Sequence, residues 1–164
     1  MAASQAPITT VPVRRDYTSA IYGSVLAASV IVGAGSSRSP WTLALIVLIS
    51  NVIFWLAHVY AETVASVHGG WGLSAIRRGL QHEWPMVAAA VPPAVAAVVG
   101  GWLFHDRPGT AAWVALITAA VELQVWGMAA ARAVPLQGKA LVRVSVLNLG
   151  LGLVVVILKL CVPH

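Results

Sequence analysis

The chain has 164 residues, of which 59% are hydrophobic and 9% charged, with mean hydropathy +0.85, net charge +5 and pI about 10.2. Soluble domains carry about 25% charged residues, and a water-soluble fold of this length cannot cover so much apolar surface, because small chains expose a large share of what they fold. The positive charge has no basic domain to carry it and lies between apolar runs, which argues for membrane headgroups as its partner and against nucleic acid.

A helix crosses about 30 Å of hydrocarbon with roughly 20 apolar residues. Five stretches qualify: residues 17–35, 41–65, 84–104, 110–131 and 144–162. None shows the period of two that barrel strands require. The expected fold is therefore all-α, a polytopic membrane helix bundle with five transmembrane helices. Residues 1–16 form a cytoplasmic N-terminal tail and 17–164 a single transmembrane helical domain. Orientation follows from the basic residues. Arg14, Arg15, Arg77, Arg78, Arg132, Lys139 and Arg143 fall on one side of the spans, and Arg38, Arg107 and Lys159 on the other. Seven of ten set the N-terminus inside and the C-terminus outside, in a multi-pass protein of the cell membrane. The only cysteine is Cys161, so no internal disulfide forms.

The first span is read as a retained helix and not as a cleaved signal, because it exceeds the usual apolar core and lacks a clear cleavage site before Ser36. It carries Ser19, Gly23 and Ala27 at four-residue spacing, a small-residue stripe suited to close helix packing within the bundle or between copies. On the second span Asn51, Trp55, His58 and Glu62 lie within roughly 60° of one another on the helical wheel. His58 and Glu62 stand one turn apart, close enough to hydrogen-bond.

Residues 66–83 make the longest connection. Leu73, Ile76 and Leu80 recur at helical spacing with Arg77, Arg78 and Gln81 between them, the pattern of a short helix lying flat on the inner leaflet, or else of a solvated loop. His82-Glu83 is assigned to the headgroup boundary. The third span has Pro92-Pro93 mid-way, which removes backbone donors and bends the helix. On the fourth, Glu122 lies near the centre; on the fifth, Asn148 lies about one turn inside the cytoplasmic boundary, and Lys159 near the outer edge is expected to snorkel.

An ionised group at the bilayer centre costs at least about 2.5–3.5 kcal/mol, so it must face protein or water. The polar site expected from the sequence comprises Glu122, His58, Asn51, Glu62 and Asn148, a ladder running from the midplane toward the cytoplasm. In it Glu122 titrates, His58 relays and the two asparagines support. Interhelical hydrogen bonding is the competing role for the same residues. His58 and Glu62 have ligand-like spacing and Glu122 is a conceivable third donor, but two donors on one helix do not define a site, and no metal or cofactor is expected. Haem lacks a second axial histidine inside the core. The expectation is a small transporter or channel subunit handling protons or cations, in a homo-oligomer or larger membrane complex. A non-catalytic accessory subunit is the alternative. An enzyme is disfavoured, because neither a nucleophile–base pair nor a phosphate-binding glycine loop is visible.

Overall fold

A computed structural model describes residues 14–34, 39–65, 73–107, 109–133 and 138–161. The tail before Arg14, the segment around Ser36, the connection from 66 to 72 and the last three residues lie outside the described residues. So do the expectations that fall on them.

Seven helices and no strand are found among the described residues: α1 (Arg14–Ala34), α2 (Pro40–Ala65), α3 (Leu73–His82), α4 (Trp84–Ala88), α5 (Val91–Leu103), α6 (Thr110–Ala133) and α7 (Lys139–Cys161). Five stretches are long and apolar enough to cross a membrane: Tyr17–Ala34, Pro40–Ala65, Ile76–Leu103, Thr110–Ala133 and Val142–Cys161. Their outer faces are apolar as well, with Leu45, Ile49, Ile53, Val95, Val121 and Val125 exposed. Helices that are apolar on all sides belong in a core or in lipid, and these fit an integral membrane protein.

Local chemistry sets the ends and breaks. Ser39 caps α2, its hydroxyl accepting from the Thr42 N–H at 3.2 Å, and Pro40 follows as the first helical residue, where a missing N–H costs nothing. The third span departs from a single helix starting at Trp84. Its helical run begins at Leu73 and breaks twice, each time just before proline. Pro85 has no N–H to give the preceding turn, so α3 ends at His82 and Met86 reaches the Glu83 carbonyl at 3.0 Å. Pro92 and Pro93 act in the same way on α4. The chain turns through Ala89 and Ala90, whose N–H donates to Val87 at 3.0 Å, and α5 then restarts with proline in its first turn.

The helix expected after residue 66 exists from Leu73 and joins the bundle. It packs along α2 in antiparallel sense. Trp84 meets Trp55 edge-on with ring centroids 5.9 Å apart, while Gly79 faces Val59. Small residues set the remaining distances. The core is built from Ala27, Ile31, Leu43, Val47, Ala94, Ala97, Ala115, Leu116 and Ala119, which join α1, α2, α5 and α6. Helix α1 packs on α6 along one flank and on α4 and α2 along another. Its Ser19–Gly23–Ala27 stripe works within the bundle: all three are buried, and a Cβ at Gly23 would collide with the Met86 carbonyl oxygen. Helix α7 packs chiefly on α6 and is peripheral, with 11% of its apolar stretch buried inside the protein.

Candidate functional site

The break at Pro85 turns Glu83 inward. This residue occupies the N-cap of α4 with φ −90° and ψ 1°, yet its side chain caps nothing. Its carboxylate points between α1 and α2, 3% exposed. There it accepts the hydroxyl of Ser19 on α1 and lies 3.7 Å from Nε2 of His58 on α2. Glu62, one turn further along α2, completes the group: one donor atom from each of His58, Glu62 and Glu83 lies within 4.8 Å of the other two.

The sequence reading left Glu83 outside the polar site; the fold buries it and brings it to His58. The missed signal was periodicity. Leu73, Ile76 and Leu80 define a stripe, and Glu83 is its next member at three residues. An acid on the apolar stripe of an amphipathic helix has to find a partner inside, and here it finds two.

Burial across the cluster is graded. Glu83 is enclosed, Glu62 half-buried, and the His58 side chain 42% exposed. His58 borders a cleft of about 440 Å³ lined by Tyr22, Leu26 and Ser29 of α1, Phe54 of α2 and Met86 of α4. An imidazole between a buried carboxylate and an open cleft can pass a proton through its two nitrogens or hold a cation.

The other expected site residues sit elsewhere. Glu122, on α6, accepts from the Trp126 indole N–H at 3.2 Å, and its second oxygen is buried with no partner among the described residues. Tyr17 packs over Trp126 with ring centroids 6.2 Å apart. This places Glu122 on the α6 flank of α1, whereas the cluster occupies the α4–α2 flank. Asn51 is fully buried and donates to the Val47 carbonyl at 3.0 Å; its side-chain oxygen has no partner among the described residues. Asn148 lies against Gly127 of α6, filling the space a side chain there would take. Close to it, Gln124 reaches the Ser145 carbonyl at 3.5 Å. Of the five expected residues, the fold joins His58 and Glu62 and leaves Glu122, Asn51 and Asn148 in other surroundings.

Lys159 does not snorkel. Its side chain is 3% exposed, with the ammonium buried and without a hydrogen-bond partner among the described residues.

Fold and site together describe a compact helical protein of membrane type with an internal carboxylate–imidazole cluster. No family model, curated protein or solved structure matches this chain.

Proposed function

We propose that this chain is a multi-pass protein of the cell membrane, with its N-terminus in the cytoplasm, that handles protons or cations as a transporter or channel subunit. The site is the cluster of His58, Glu62 and Glu83. The observation that carries this reading is the Glu83 carboxylate, buried and held by Ser19 and His58. Hydrogen bonds between membrane helices contribute about 0.6 kcal/mol on average. That is a weak return for burying an ionisable group, so a role for the charge accounts for the residue better than adhesion does.

The excess of basic residues at the start of α1, on α3, at the end of α6 and at the start of α7 supports assigning that end of the bundle to the cytoplasm. His58 lies about two turns before the end of α2 at Ala65, so the cluster is roughly 10 Å from that end, which supports an inward-facing site. Five helices leave little room for an internal aqueous path, so this reading includes assembly of several copies to make one.

Proton or cation flux into vesicles carrying the reconstituted protein tests the reading. Glu83→Gln abolishes flux while insertion and helicity persist; unchanged flux overturns the proposal. If flux instead survives Glu83→Gln and is lost in Glu122→Gln, the site belongs on the α6 flank. A second reading, an accessory subunit of a larger membrane complex, draws on the outward apolar surface of α7. It predicts co-purification with a membrane partner that is lost when Leu147 and Leu151 on that surface are changed to polar residues.

A further inference from the structure

We propose that His58, Glu62 and Glu83 form a binding site for a divalent transition-metal ion of the Zn²⁺, Mn²⁺ or Fe²⁺ class. The inference rests on the reading of this cluster as the cation site and names its cation.

Geometry comes first. Three donor atoms converge within 4.8 Å of one another. His58 Nε2 and Glu83 Oε2 are 3.7 Å apart, against roughly 3.4 Å between two ligands of a tetrahedral ion with bonds of about 2.1 Å. The remaining separations, within 4.8 Å, require the half-buried His58 and Glu62 side chains to draw in on binding. The donors come from two separate elements, α2 and the α3–α4 junction, so the site exists only in the folded chain.

Charge comes second. Two carboxylates this close repel each other, more strongly because one is enclosed. A monovalent cation leaves one negative charge uncompensated beside a neutral imidazole; a divalent ion leaves none. The imidazole decides the class of ion. Mg²⁺ and Ca²⁺ prefer all-oxygen shells, whereas a mixed nitrogen and oxygen set favours the transition metals and zinc.

Support and access come third. Carboxylates that hold metals are themselves held by hydrogen bonds, and Ser19 does this for Glu83. The cleft beside His58 leaves room for water or a further ligand to complete the shell. A contrast is available within the same chain. His105 and Asp106 lie 3.0 Å apart, but both are highly exposed, and no third donor among the described residues joins them.

The test is a Co²⁺ and Zn²⁺ titration of the full chain in nanodiscs, followed by visible absorption and calorimetry. The expected result is one ion per chain, retained in a large excess of Mg²⁺. His58→Ala and Glu83→Gln each weaken affinity by about tenfold or more, and Ser19→Ala by a smaller factor. His105→Ala has no effect. If Glu83→Gln fails to fold, Glu62→Gln, at a half-buried position, carries the same expectation. The proposal is overturned by the absence of saturable binding to the wild type, by binding that survives both His58→Ala and Glu62→Gln, or by displacement with Mg²⁺. Proton flux that needs Glu83 in a protein binding no metal overturns this inference and leaves the proton reading standing. Metal binding without flux supports the site and removes transport.

Discussion

Ser19 and Glu83, 64 residues apart in the chain, meet where α1 crosses the start of α4, the hydroxyl donating to the carboxylate. Both side chains are buried, so neither has bulk solvent as a substitute partner. The bond ties the first helix to the break in the third span and orients the acid toward His58.

Ser19→Ala should therefore cost stability as well as affinity. Removing one partner of a buried hydrogen bond costs about 1–3 kcal/mol. Thermal unfolding in a fixed detergent should show a lowered midpoint for Ser19→Ala, and a smaller loss for Ser29→Ala. The Ser29 hydroxyl is exposed and bonds to the Val25 carbonyl of its own helix at 2.8 Å.

Two glycines on α1 make a matched pair. A Cβ on Gly23 meets the Met86 carbonyl oxygen, a backbone atom that cannot swing aside, whereas a Cβ on Gly33 meets nothing within 4 Å among the described residues. Gly23→Ala should destabilise by about 1–3 kcal/mol through overpacking and loosen the Ser19–Glu83 bond. Gly33→Ala should be neutral or stabilise by up to about 1 kcal/mol through helix propensity. Equal effects in a steric-trapping or thermal assay would contradict the α1–α4 approach described above.

Gly127 and Asn148 should be energetically coupled. An alanine methyl at Gly127 takes the place of the Asn148 amide, so Gly127→Ala forces that side chain to rotate. In an Asn148→Ala background the same change should be harmless. A double-mutant cycle should return about 0.5–3 kcal/mol of coupling; additivity within error would show that α7 does not seat on α6 in this register.

Topology is open to thiol labelling. Cys161 is exposed at the end of α7. On intact cells a membrane-impermeant maleimide should label it directly. In a Cys161→Ser background, a cysteine introduced at Ser4 should react only after permeabilisation. Labelling of both positions from one side would contradict five spans, and labelling of the Ser4 position but not Cys161 on intact cells would reverse the orientation proposed from the basic residues.

Five apolar helices were legible because hydropathy is a property of each segment, independent of its neighbours. The His58–Glu62 pair was legible for a similar reason, since residues four apart share a helix face whatever surrounds it. The proline breaks were half legible. Pro92-Pro93 announced a bend in the third span, but Pro85, seven positions before Pro92, decided more, because ending α3 at His82 allowed Glu83 to leave the helix surface. Glu122 looked the costliest residue from its depth alone, yet the Trp126 N–H on its own helix meets part of that cost.

Composition and periodicity by themselves determined the class of protein, the number of long apolar helices and one face of the polar site. Which acid stands opposite His58 was decided by the tertiary structure alone. That choice depends on how closely α1 and α4 approach at Gly23 and on where α3 stops along α2. Both are distances between segments far apart in the chain, and no local pattern encodes them.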